Sequence, residues 1–171
     1  TSNEDLDFVI SKIHKGEYDI ERHNIIEAVT DGVSLKNYPF ALNEIAIMKH
    51  DSSSMMTIEA TLNGNDRIIY QADGLIVNTS TGSTGYALSV GGPIIGPGSN
   101  IIGLVPVAPH SLTVRPLTIS ADATVRMKVK SRSHNFLLSL DGRSESSQEG
   151  ITLTIRKAPY TINVLKRSEG S

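Results

Sequence analysis

The sequence predicts a mostly β protein, a two-sheet β-sandwich-like domain with a few short helices, on three observations. Apolar and polar residues alternate with a period of two: Val125, Met127 and Val129 interleave with Arg126, Lys128 and Lys130, and Ile151, Leu153 and Ile155 with Thr152, Thr154 and Arg156. Such alternation marks strands with one buried face. Clusters of turn-forming residues recur between these stretches, as in a sandwich. Helical spacing is confined to two short segments, so the alternating strands and long helices of a doubly wound sheet are not encoded here.

In chain order, residues 5–15 read as a helix, with Leu6, Val9, Ile10 and Ile13 on one face, Asn3 as its N-cap and Gly16 as its stop. Strands follow at 41–48, 55–63, 66–71 and 74–79. A short helix is expected over 83–90, entering at a Ser or Thr cap and ending at Gly91. Further strands are expected at 101–107, 117–120, 125–130, 135–140, 151–156 and 161–166. The turns are NGND at 63–66, GPGSN at 96–100, ADA at 121–123, DGR at 141–143 and QEG at 148–150.

At 171 residues the chain suits one domain, and no linker or repeat divides it. The formal charge of −2 gives no basic surface for nucleic acid. No apolar run approaches the ~20 residues of a membrane-spanning helix. TSNEDLDFV lacks the pattern of a secretory leader. Without cysteine, disulfides, thiolate metal sites and thiol nucleophiles are excluded. A cytoplasmic protein without nucleic-acid or membrane partners is therefore expected. The histidines at 14, 23, 50, 110 and 134 show no metal-ligand spacing and read as surface or capping residues, and no metal site is expected.

The stretch DGLIVNTSTGSTGYALSVGGPIIGPGSN, residues 73–100, carries the chemistry. A P-loop needs a lysine, and none occurs between Lys49 and Lys128. A nucleophile elbow needs GxSxG, whereas Gly82-Ser83-Thr84-Gly85 is one residue too tight. The dinucleotide fingerprint GxGxxG is not matched either. What remains is a strand running into a glycine-rich helix start. Unpaired N–H groups there suit a phosphate or a ribose hydroxyl, and glycines let a ligand approach the backbone. Tyr86 adds an aromatic face and Asp73 a carboxylate. On the residues alone, a ligand cradle and an ordinary strand–turn–helix connection remain open, as does core packing for Tyr86.

Residues 73–94, DGLIVNTSTGSTGYALSVGGPI, closely resemble the signature of the NAD kinases, DG-hydrophobic-STPTGSTAYxxSxGGPI. Ala41-Leu42-Asn43-Glu44-Ile45 resembles that family's Asn-Glu motif, and LVPVAPHSLTVRPL at 104–117 resembles the block after its glycine-rich loop. KGEYDIERHNIIEA looks like the family's passage into its second domain. The resemblance covers essentially the whole chain. It implies the C-terminal β-rich domain over 1–171 of a protein that is α+β overall. The family's N-terminal α/β domain bears a Gly-Gly-Asp-Gly loop with the general-base aspartate, and this sequence contains no such string. The ending KRSEGS carries no sign of a further domain.

The activity so implied is transfer of a phosphoryl group from ATP (polyphosphate in some members) to the 2′-hydroxyl of the adenosine ribose of NAD, giving NADP. A divalent metal such as Mg would accompany ATP, and a homodimer or homotetramer is expected. By the same resemblance Asn43 and Glu44 contact ribose hydroxyls, and Thr84, Gly85, Tyr86, Ala87, Leu88 and Ser89 wrap the dinucleotide. Asp73 contacts nucleotide, in some members across a subunit interface, and Ala108 contacts it through its backbone. Ser54, Gln71 and Arg143 fall at further, variable contact positions. No catalytic residue is expected within the chain, and the chain alone is expected to bind without turnover. A non-catalytic dinucleotide-binding or self-association module, or a relative of the lipid kinases' β-rich domain, are the alternatives.

The sequence departs from the signature at Gly85 for alanine, Ser80 for proline and Asn78 for serine. Arg143 stands where many bacterial relatives have glutamine, and would add a cation beside the ligand. Glu44, within the apolar run ALNEIAI, is costly to bury unpaired and so points to a hydrogen-bonded or functional role. Asn43 alone reads equally as an outward strand residue. Asp141-Gly142 reads as a hairpin turn. Arg126, Lys128, Lys130 and Arg132 read as a solvated strand face. His110 is a candidate for lining the nucleotide pocket.

Overall fold

The computed structural model describes residues 3–50 and 55–167. Helix α1 (Asn3–His14) leads into β1 (Tyr18–Thr30), followed by β2 (Phe40–Ala41), β3 (Glu44–Lys49), β4 (Met56–Leu62), β5 (Asp66–Ala72) and β6 (Gly74–Asn78). A 3₁₀ turn (Thr81–Thr84) and the single-turn helix α2 (Tyr86–Ser89) come next. The chain closes with β7 (Ile101–Val107), β8 (Leu117–Ser120), β9 (Val125–Lys130), β10 (Asn135–Leu140), β11 (Arg143–Gln148) and β12 (Thr152–Arg167).

The strands form two antiparallel six-stranded sheets, ordered β2-β1-β12-β9-β4-β5 and β11-β10-β3-β6-β7-β8. Period-two alternation builds the core between them. Ile26, Ile58, Met127 and Ile155 meet Ile45, Ile47, Leu75, Val77, Leu104 and Leu138. Burying each such side chain contributes roughly 1.5–3 kcal/mol. The two-sheet prediction holds.

The second sheet is covered on both faces at its centre. Ala46, Ile76, Val105 and Val107 point away from the core and pack against Ala87 of α2. That double cover is why β6 is buried at every position and why GLIV shows no apolar–polar alternation. It also fixes the phase of β3: Ile45 and Ile47 face the core, so Glu44, Ala46 and Met48 face the side carrying α2.

Several elements differ from expectation. The strand expected over 41–48 is interrupted, with β2 and β3 separated at Leu42-Asn43. The helix expected over 83–90 is split into the 3₁₀ turn and α2. The two strands expected at 151–156 and 161–166 are one long strand, β12, whose pairing with β1 jumps between Asn24–Thr161 and Ile26–Lys157. The extra residues include Pro159, which has no N–H for the ladder and is tolerated at such a bulge. Neither β1 nor β11 was foreseen.

The structure begins α1 at Asn3 itself, one position earlier than the cap assignment requires. The helix does stop at Gly16, with φ +69: Gly16 N–H donates to Ile13 O at 3.1 Å and Glu17 N–H to Lys12 O at 3.0 Å, a Schellman closure. Its predicted apolar face does not join the core, for Leu6, Ile10 and Ile13 are exposed.

Candidate functional site

The backbone where β6 leaves its sheet is held by hydroxyl groups. Thr79, buried, donates its N–H to Asn43 O at 2.9 Å and its Oγ1 proton to Leu42 O at 2.5 Å, while Oγ1 accepts the Gly82 N–H at 3.1 Å. One threonine thus ties the Leu42-Asn43 break to the 3₁₀ turn. Ser83, fully buried, donates Oγ–H to Ser80 O at 2.8 Å and accepts the Ile95 N–H at 3.0 Å, pinning the turn to the returning chain. The expected Ser/Thr cap is absent, since neither Ser80 nor Gly85 makes a side-chain capping bond to the helices they precede.

Gly82 lies against Asn43 so closely that a Cβ would meet the Asn43 carbonyl carbon at 2.5 Å. Gly85 is three residues on, and a Cβ there would lie 3.8 Å from Glu44 Oε2. Asn43, Glu44 and the glycine-rich turn therefore lie together. Glu44 is half-buried, and burial first, then the neighbouring Asp141 carboxylate, raises its pKa above the usual 4.5. Across the ladder Glu44 faces Asn78, which is 1 % exposed and whose Oδ1 has no hydrogen-bond partner.

Asp141 is a hairpin-turn residue as expected: Asp141 (φ +48) and Gly142 (φ +83) join β10 to β11, and both positive φ values suit a two-residue hairpin. Its side chain does more. One carboxylate oxygen accepts the Leu42 N–H at 2.7 Å, and the other accepts the N–H groups of Asn43 at 2.8 Å and Glu44 at 3.0 Å. The Asp141 N–H donates to Glu44 O at 3.0 Å.

The remaining turn residues divide by side. Ala87 is buried against the sheet, while Thr84, Gly85, Tyr86, Leu88 and Ser89 face solvent. Tyr86 is 42 % exposed, so its ring is not core packing. Ser89 Oγ donates to Tyr86 O at 2.7 Å.

Asp73, Gln71 and Ala108 lie at the opposite end of β6. Asp73 and Thr79 flank the five-residue strand β6 and are six extended steps apart, roughly 20 Å. Asp73 is ion-paired with Lys49 at 3.0 Å, and its N–H donates to Val107 O at 2.9 Å. Gln71 is exposed, and its carbonyl accepts the His110 N–H at 2.9 Å. Ala108 adopts φ +47, uncommon for a non-glycine residue. One chain therefore presents the residues expected to bind ligand mainly as two clusters, at opposite ends of β6.

Arg143 is engaged with protein. Its guanidinium donates to Phe40 O at 2.6 Å and Tyr38 O at 3.3 Å and lies over the Tyr38 ring at 5.8 Å. Ser54 lies outside the described residues. His23, read from the sequence as a surface or capping residue, is instead buried on β1, with its Nδ1 2.5 Å from Thr81 Oγ1 and its Nε2 2.6 Å from Glu21 Oε1, the latter without hydrogen-bond alignment. It sits in the strand that went unforeseen. A cleft of about 510 Å³ lined by Glu27, Val29, Val33, Leu35 and Pro39 opens under the 31–39 loop, and none of the site residues expected from the sequence lines it.

Residues 42–167 match the model of the ATP-NAD kinase C-terminal domain. This chain belongs to the NAD kinase family, as its C-terminal domain. It is 51 % identical over 166 residues to an NAD kinase of Bacteroides fragilis, an alignment covering 97 % of this chain and 57 % of that protein. An NAD kinase of Flavobacterium psychrophilum is 39 % identical over 168 residues, again 97 % and 57 %. The chain thus spans little more than half the length of these relatives. Among solved structures, yeast NADH kinase complexed with NADH superposes with a TM-score of 0.86 at 22 % identity, covering 97 % of this chain and 51 % of that one, which shows the fold. An NAD kinase from Archaeoglobus fulgidus in complex with ATP gives 0.78 at 25 % identity, covering 95 % and 61 %. The NAD kinase Asn-Glu motif and glycine-rich signature are the segments that Thr79, Gly82 and Asp141 bind together here.

Proposed function

We propose that the chain is the dinucleotide-binding part of an NAD kinase, which transfers a phosphoryl group from ATP to the 2′-hydroxyl of the adenosine ribose of NAD to give NADP. The observation that carries this reading is the locking of Asn43-Glu44 to the Gly82–Gly85 turn through Thr79 and backbone contact. An amide that donates and accepts, and a carboxylate that accepts, suit vicinal ribose hydroxyls. In this reading Thr84, Gly85, Leu88 and Ser89 line the cradle, Ala87 anchors it to the sheet, and Tyr86 offers its ring to the ligand.

Asp73, Gln71 and Ala108 form the second half of the contact surface. Their distance from the glycine-rich turn supports a homodimer or homotetramer in which one copy's Asp73 end meets another's turn. Arg143 stays a proposed contact at a variable position, and its guanidinium also braces the 38–40 backbone. Ser54 keeps its place as a proposed contact on the resemblance alone.

Phosphoryl transfer depends on positioning, a base for the hydroxyl proton and charge stabilisation at the phosphates. This chain's share is positioning. The base belongs to a proposed N-terminal α/β domain with a Gly-Gly-Asp-Gly loop, which the greater length of the relatives accommodates. No three His, Cys, Asp or Glu side chains converge among the described residues, so the divalent metal expected with ATP is assigned no ligand here and no step is routed through it. A cytoplasmic enzyme is the proposed setting.

A coupled assay for NADP tests the proposal. The full-length polypeptide should form NADP from NAD and ATP, and this chain alone should form none. No NADP from the full-length polypeptide overturns the assignment, and turnover by the chain alone overturns the placement of the base.

A further inference from the structure

We infer that Asp141 is the positioning residue of the site: its carboxylate pre-forms the Asn43-Glu44 segment in the conformation that receives the ribose. The inference rests on the dinucleotide reading above and adds a residue that the signature motifs do not contain.

Three consecutive backbone N–H groups, of Leu42, Asn43 and Glu44, converge on one carboxylate at 2.7, 2.8 and 3.0 Å. They fall where the chain breaks between β2 and β3, so no ladder partner is available to at least the first two. A carboxylate accepting several backbone N–H groups makes charge-assisted bonds, stronger than neutral ones. The reciprocal Asp141 N–H to Glu44 O bond closes the ring. The tight hairpin with φ +48 at Asp141 aims the carboxylate at the segment. Thr79 holds the same segment from the other side through Leu42 O and Asn43 O, so carbonyls and N–H groups are both engaged before any ligand arrives. The Asn43 side chain is left exposed.

Asp141 also bears on the charge state of Glu44, second to burial. Its negative charge is the one that acts on the Glu44 carboxyl; the turn presents Gly85 and β6 presents Asn78, neither of which titrates. Asp141 thus holds Glu44 in place while favouring its protonated form. Removing the charge should loosen the segment and move the Glu44 titration to lower pH.

The test uses the full-length polypeptide with Asp141→Asn, and Asp122→Asn as a control that removes a carboxylate paired with Lys157 elsewhere. In Asp141→Asn an amide N–H faces the Leu42 N–H, leaving a donor unpaired, and the KM for NAD should rise about tenfold while the KM for ATP stays within about twofold. The acid limb of kcat/KM for NAD should shift to lower pH in Asp141→Asn and stay in place in Asp122→Asn. An unchanged KM for NAD, or an equal loss in both substrates with an unmoved acid limb, overturns the inference. Hydrogen exchange on the unaltered protein tests it even if the variant does not fold. The amides of Leu42, Asn43 and Glu44 should be protected without ligand, and rapid exchange that slows only on adding NAD contradicts pre-formation. A wild-type protein that neither binds NAD nor makes NADP, with those amides still protected, overturns the dinucleotide reading instead.

Discussion

Gly82 packs its backbone against that of Asn43: a Cβ at position 82 would lie 2.5 Å from the Asn43 carbonyl carbon and 2.8 Å from its Cα. Neither neighbour is a side chain that could swing aside. The glycine-rich turn and the Asn-Glu segment therefore touch as two backbones, and what moves one moves the other.

Gly82→Ala should displace the Asn43-Glu44 segment by several tenths of an ångström or break the Thr79 bonds. Overpacking of this kind costs typically about 1–3 kcal/mol. Thermal unfolding and NAD affinity should fall together, as melting curves and titration calorimetry on one sample would show. Full stability with unchanged affinity would mean that the contact is not as tight as described.

Thr79→Val keeps the shape and removes the hydroxyl that bridges Leu42 O and the Gly82 N–H. Leaving buried partners unpaired costs roughly 1–3 kcal/mol. Urea unfolding should show a lower midpoint with an unchanged slope.

Tyr86→Ala should separate binding from folding. The ring is 42 % exposed, so little packing is lost, and the melting temperature should stay near wild type. The KM for NAD should rise in the full-length enzyme. A large drop in melting temperature with unchanged KM would make Tyr86 a structural residue.

Glu44 contributes a pH dependence of known sign. Its folded-state pKa is raised above 4.5, by burial first and then by Asp141. The folded state therefore binds the proton more tightly than the unfolded one, and the associated stability is fully present below the unfolded pKa. It is lost as pH rises through the raised folded value. Glu44→Gln should flatten the stability profile over that window, as urea unfolding at about pH 4 and about pH 8 would measure. The unaltered protein's binding of NAD should weaken as pH falls through the same value, because the ionised carboxylate is the proposed acceptor.

The sheets were legible wherever one face is buried and the other wet, as along VRMKVK, whose burial alternates without a break. β11 was not, because RSESSQ is a polar edge strand and carries no apolar signal. The outer half of β1 pairs with β12 in a ribbon exposed on both faces, where Ile20, Ile162 and Leu165 remain in contact with solvent, so period-two contrast disappears. The glycine-rich turn and Asn43-Glu44 were legible through the family signature. Asp141 was visible only as a turn, since its bonds reach residues almost a hundred positions earlier in the chain. Such separation is also why His23 read as a surface or capping residue, with Thr81 fifty-eight positions away.

Whether Asn43-Glu44 and the Gly82–Ser89 turn hold NAD is decided by amide-resolved NMR of this chain titrated with NAD. Saturable shifts should be confined to Asn43, Glu44 and the turn, with a second set at Asp73 and Ala108 if copies associate. Shifts confined instead to Glu27–Pro39, around the cleft under the 31–39 loop, would contradict it.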